Sequence, residues 1–125
     1  MDVREKGHRF ERYVVSIFKT IGFSKAISTR AFNKVLDGCS VDIARIPYYI
    51  QCKSGYIRGL NYSKIFETMK RKLTEVYDKV EYPLIIMHKK SSKYEENLVI
   101  MPFDDFIKLI NDYEQLKQDY ARTKL

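Results

Sequence analysis

Glu11, Asp42, Gln51 and Lys53 combine types and placement suited to hydrolytic chemistry. The last three fall within Ser40-Val41-Asp42-Ile43-Ala44-Arg45-Ile46-Pro47-Tyr48-Tyr49-Ile50-Gln51-Cys52-Lys53. This stretch reads as two short strands with a turn at Arg45 to Tyr48. Strand side chains alternate between faces, so Ser40 and Asp42 are expected on one face and Val41 and Ile43 on the other. In the second strand Tyr49, Gln51 and Lys53 point one way, while Ile50 and Cys52 point the other. An antiparallel pairing then brings Asp42, Gln51 and Lys53 onto one surface. Two oxygen-bearing side chains beside a lysine suit a hard divalent cation with an anion next to it. The same pattern also describes the solvated face of an ordinary hairpin, and the stretch alone leaves both readings open.

Glu11 belongs to the element that would have to sit against those strands. A helix is predicted from about Val3 to Ile21, with Phe10, Val14, Ile17, Phe18 and Ile21 forming an apolar stripe at helical spacing. Glu11 precedes Val14 by three positions and Phe18 by seven, which puts it on the inward half of the helix. A carboxylate there must be neutralised, paired or bound to metal, because burying it bare is costly. A partner such as Arg12 or Lys53 is one solution; joining Asp42 in a metal site is the other.

The remaining elements follow in order. Gly22 sits where a helix-ending glycine is expected. Phe23 to Ala31 reads as a strand with Arg30 near its end, and Phe32 to Cys39 as a polar loop or short hairpin. After Lys53, Ser54 to Leu60 is a loop with two glycines; its Tyr56 and Arg58 suit contact with a DNA backbone, and its composition equally fits a plain connector. Asn61 is a good N-cap for a helix running to about Lys79. That helix has Ile65, Phe66, Met69, Leu73, Val76, Tyr77 and Val80 on its apolar face, and Lys64, Lys70, Arg71 and Lys72 elsewhere. Leu84 to His88 and Leu98 to Met101 read as strands joined by a polar turn from His88 to Asn97. A last helix opens at Pro102 with an expected inward set of Phe103, Phe106, Ile107, Ile110, Tyr113, Leu116 and Tyr120. The order of helix, three strands, helix, two strands, helix predicts one α/β domain, 1–125, with helices covering a mixed sheet.

Composition narrows the partners. The chain of 125 residues is long enough for a single core. Its formal net charge of +7 favours a polyanion through long-range attraction and counterion release. The longest apolar runs are too short to cross a bilayer, and the first residues lack the apolar core of a signal peptide. Cys39 and Cys52 have neither metal-ligand nor redox spacing, so a reduced intracellular protein is expected. His8 and His88 lack zinc spacing, and no glycine loop of the phosphate-cradling kind is present.

Taken together, Lys6-Gly7-His8-Arg9-Phe10-Glu11-Arg12, Gly22-Phe23, Arg30, Val41-Asp42-Ile43 and Ile50-Gln51-Cys52-Lys53 resemble the PD-(D/E)xK nuclease superfamily. Within it they are most similar to the archaeal and viral Holliday junction resolvases. The resemblance implies a restriction-endonuclease-like core and a homodimer acting on branched, four-way-junction DNA. It places the chain in the cytoplasm of a prokaryotic cell or of a virus-infected host. It implies that Glu11, Asp42 and Gln51 hold Mg²⁺, with Mn²⁺ as a substitute, and that Lys53 orients the attacking water and stabilises phosphorane charge. Arg12, Arg30 and Ser40 fall at positions of phosphate contact. The departure is Gln51, an amide where the family carries an acid, although restriction enzymes of the Mrr type are similar in using Gln-x-Lys. A restriction or repair-type nuclease and a non-catalytic DNA-binding relative remain alternatives.

Overall fold

A computed structural model of the chain describes residues 3–91 and 96–124. The protein is a mixed α/β structure. Helix α1 (Val3–Thr20) leads to a two-residue strand β1 (Ile27–Ser28), two short helical turns α2 (Thr29–Phe32) and α3 (Lys34–Gly38), and strand β2 (Ile43–Ala44). Then follow β3 (Tyr49–Ser54), α4 (Tyr62–Tyr77), β4 (Leu84–Lys89), β5 (Asn97–Ile100) and α5 (Phe103–Thr123). The main sheet has the order β3-β4-β5, with β3 and β4 parallel and β4 and β5 antiparallel. A parallel pair needs a crossover, and α4 supplies it. The β1–β2 pair is antiparallel, and the Asp42 N–H donates to Ile50 O at 2.8 Å, which brings this segment against the β3 edge.

Alternation along the strands sorts the core into two layers. Ile50 and Ile85 pack with Phe10, Val14 and Phe18 of α1, and Cys52 and Met87 extend that layer. Tyr49, Leu84 and Ile86 pack with Phe66, Met69 and Leu73 of α4. Both helices end and begin as their sequences dictate. Gly22, at φ +124, closes α1 with its N–H on Lys19 O, while the Phe23 N–H reaches Phe18 O and the two rings pack 5.9 Å apart. This is the paired-bond helix terminus that glycine permits. Asn61 Oδ1 accepts the Lys64 N–H at 3.2 Å and caps α4.

Several expectations are corrected. The strand foreseen over Phe23 to Ala31 is only Ile27–Ser28, because Thr29 turns inward. Its Oγ1 donates to Val41 O at 2.6 Å and its N–H to Asp42 O at 3.0 Å, so the chain leaves the sheet there and Arg30 sits on α2. The foreseen loop from Phe32 to Cys39 contains α3, capped by Asn33 Oδ1 on the Leu36 N–H. Ser40 adopts φ +64, which breaks the alternation expected of Ser40 to Ile43: Val41 joins the α4 layer and Ile43 the α1 layer.

The last helix differs most. Its expected inward set, Phe103 through Tyr120, is 43–76% exposed, and α5 makes no extensive contact with any other described element. Ile17 of α1, Ile21 just after it, and Val76 and Tyr77 of α4 are likewise exposed. The turn foreseen between His88 and Asn97 lies in part, at 92–95, outside the described residues. Among the described residues no helix is long and apolar enough to cross a membrane.

Candidate active site

Glu11 is 6% exposed, on the buried face of α1 one position from Phe10. Its Oε1 accepts the Ser28 hydroxyl at 2.5 Å and the Arg30 Nε–H at 3.1 Å. The expected partners Arg12 and Lys53 are replaced by Arg30, which α2 brings over the carboxylate. Arg12 itself is exposed.

Asp42 lies beside this pair. Its Oδ2 accepts the Cys52 backbone N–H at 2.7 Å. In a regular ladder that N–H would go to a backbone carbonyl near Ser40, but the left-handed turn at Ser40 removes that partner and the carboxylate takes its place. The carboxyl group therefore sits level with the sheet, at the β3 edge, within electrostatic reach of both layers. Burial raises its pKa from 3.8 to about 7; the Cys52 N–H lowers it, the Glu11 charge raises it, and the Lys53 ammonium lowers it. The Cys52 thiol is pushed well up by burial and then by Asp42 and Glu11.

Gln51 and Lys53 occupy the opposite side of β3. Together with Ser40, Arg58, Asn61 and Lys64 they line a cleft of about 410 Å³ between β3, the 55–61 loop and the start of α4. Gln51 Oε1 is buried there without a hydrogen-bond partner, an uncommon state for an amide oxygen. Ser40 Oγ accepts from Lys72 Nζ at 3.4 Å. Arg58 lines the cleft, whereas Tyr56, 88% exposed, is not among the residues that line it. The residues foreseen as one surface thus form two groups: Glu11, Asp42, Ser28 and Arg30 on the α1 side, and Ser40, Gln51, Lys53 and Arg58 on the α4 side. Asp42 and Lys53, coupled by charge, join them.

Lys64, named above as a cation off the apolar face of its helix, and His88, which sequence reasoning passed over, help to build the cleft. Lys64 follows the capping Asn61 and turns toward it. His88 is fully buried, with Nε2 2.7 Å from Gly55 O and Nδ1 2.8 Å from the Tyr62 hydroxyl. A carbonyl only accepts, so Nε2 carries a proton and donates to Gly55 O, while Nδ1 shares a hydrogen bond with the Tyr62 hydroxyl. This clamp ties β4, the loop after Lys53 and α4 together. The signal was available: Leu84, Ile86 and His88 alternate onto one face.

The chemistry of the donor set is compatible with a hard cation. Glu11 and Asp42 each have one oxygen engaged, the two charges repel, and Gln51 offers a buried amide oxygen. Among the described residues no three carboxylate, imidazole or thiol side chains gather into one ligand group, so a cation bound here would need an amide or water as well. Magnesium accepts both, since it keeps several waters and needs few protein ligands. Comparison of the chain with known protein families, with curated proteins and with solved structures finds no match.

Proposed function

We propose that this chain is a metal-dependent DNA endonuclease with a restriction-endonuclease-like core, acting on branched DNA. The observation that carries the reading is the buried Glu11–Asp42 pair meeting Lys53 across the edge of β3. Glu11 and Asp42 would hold Mg²⁺, or Mn²⁺ in its place, from the α1 side, with Gln51 meeting the ion across the edge of β3; the ion would supply charge neutralisation and an activated water for phosphodiester hydrolysis. Lys53 then lies where an ammonium can orient the water and offset charge on the phosphorane. Arg30 steadies Glu11. Ser40, Arg58 and Lys64 line the cleft in which the phosphate would rest.

The test is incubation of the protein with a four-way junction, a linear duplex and single strands, in Mg²⁺ and in EDTA. Cleavage of the junction in Mg²⁺ alone is expected. Preferential cleavage of the linear duplex would favour a restriction or repair-type nuclease. The neutral Gln51 specifically favours the second reading, a non-catalytic DNA-binding relative, and binding with no cleavage of any substrate would establish it.

The same reading includes a homodimer, and α5 offers its surface. Residues 104–114 carry four acids and one lysine, and 117–124 carry three cations and one acid. Antiparallel pairing with α5 of a second copy therefore sets acidic halves against basic ones while covering the exposed stripe from Phe103 to Tyr120. Such a self-complementary contact is the simplest closed assembly. Ile110→Asp should convert a dimer into a folded monomer by light scattering, and a dimer that persists would move the interface elsewhere.

A further inference from the structure

A second cationic cavity, of about 360 Å³, lies at the carboxyl ends of β3 and β4. It is lined by Lys6 and Arg9 from the first turns of α1, by Ser54 and Gly55 at the end of β3, and by Lys89 and Lys90 at the end of β4. Among the described residues no acid lines it, and none of these four cations pairs with a carboxylate. Four like charges around one hollow repel each other, and an anion entering it would relieve that repulsion. Crevices outside the carboxyl ends of parallel strands are recurrent ligand sites in α/β sheets.

The floor of this cavity is held in place. The Gly55 N–H donates to Lys89 O at 2.7 Å, and Gly55 O accepts from His88 Nε2. Gly55 adopts φ +80, a turn that glycine makes without strain. Ser54 is one residue beyond Lys53 and alternates to the other side of β3, so the cavity begins one residue past the candidate active site along the strand.

We propose that this cavity binds a phosphodiester of the DNA strand next to the one being cleaved, so that the strand crosses the carboxyl ends of β3 and β4 from Lys6, Arg9, Lys89 and Lys90 to Lys53. The proposal rests on the nuclease reading for the identity of the strand, but its test needs no turnover.

Affinity for a labelled four-way junction is measured by fluorescence anisotropy in EDTA over a range of salt. Lys89→Gln/Lys90→Gln should weaken binding about ten-fold and reduce the slope of log affinity against log salt by about 2. Lys6→Gln/Arg9→Gln should do the same from another element, which guards against a local folding defect in either variant. Lys19→Gln/Lys25→Gln, with the same charge change at the far end of α1 and in the turn after it, should alter the slope by less than half as much. Equal losses in all three pairs, or none in the first two, would overturn the site. Oligonucleotides with and without a 5′-phosphate separate the sources of the anion: an effect confined to phosphorylated ends would overturn the diester assignment. Cleavage by the wild type with an unchanged slope in the variants sinks the cavity alone. A reduced slope without cleavage sinks the nuclease reading alone.

Discussion

On the α1 side of β3 the polar chemistry is acidic and withdrawn from water, with Glu11 under Ser28 and Arg30 and Asp42 held by the Cys52 N–H. On the α4 side it is an amide and a set of cations, with Gln51 and Lys53 opening toward Arg58 and Lys64. The same strand thus separates a place that favours a cation from a place that favours an anion. Charge explains the division. Two neighbouring carboxylates in a shielded pocket are stabilised by a proton or a metal ion, and Asp42, raised to about 7, registers that demand. An ammonium and a guanidinium around an open cleft are stabilised by phosphate instead. Hydrolysis of a phosphodiester uses both, and Asp42 and Lys53 are the point where the two sides meet.

The largest expected effect comes from emptying the acidic side. Asp42→Asn should lower single-turnover cleavage by about 1,000-fold or more, the loss of several kcal/mol of charge stabilisation. The amide can still accept the Cys52 N–H, so DNA affinity in EDTA should stay within about three-fold of wild type. Cleavage at an undiminished rate would remove Asp42 from the site.

Lys53→Ala tests the opposite side. Loss of one group aimed at developing charge costs about 100- to 1,000-fold in rate, while one phosphate contact among many contributes little to affinity. A variant that keeps its turnover and loses DNA binding would make Lys53 a docking residue.

Gln51→Glu blurs the division, since it moves a negative charge toward the cationic side. The expected result is a several-fold lower Mg²⁺ concentration for half-maximal cleavage, with activity retained, because the oxygen stays in nearly the same place. If only this variant cleaves DNA and the wild type does not, the natural chain is a binding protein.

The smallest effect is a stability difference in metal-free protein. The folded pKa of Asp42 lies above its ordinary unfolded value of 3.8, so its contribution to stability is full below about pH 4 and is lost as pH rises toward 7. Asp42→Asn should therefore match wild type in Tm near pH 4 and exceed it by a few degrees near pH 8 in EDTA. A difference in Tm that does not grow over this range would show that Asp42 carries no burden of burial.

Local signals carried much of this arrangement. Gly22 and Asn61 marked helix boundaries through backbone chemistry that depends on their immediate neighbours, and both stand where they were expected. Glu11 was legible as an inward acid because helical periodicity fixes its angle to Val14 and Phe18. Its partner was not. Arg30 reaches Glu11 only because Thr29 anchors to Val41 and Asp42 and ends the strand, a contact between segments twelve residues apart that no local pattern contains.

The helices α1 and α5 mark the limit. Both show an apolar stripe at helical spacing, and α1 buries much of its own while α5 leaves Phe103 through Tyr120 open. By itself the sequence determined which residues share a face, where helices cap and break, and that Glu11, Asp42, Gln51 and Lys53 have the types for metal-assisted chemistry. Only the tertiary structure decided which faces are covered, that Ser40 turns left-handed and frees the Cys52 N–H for Asp42, and that the acids and the cations lie on opposite sides of β3. The reason is physical: periodicity is set by the backbone within one element, whereas burial and charge pairing depend on which other element arrives.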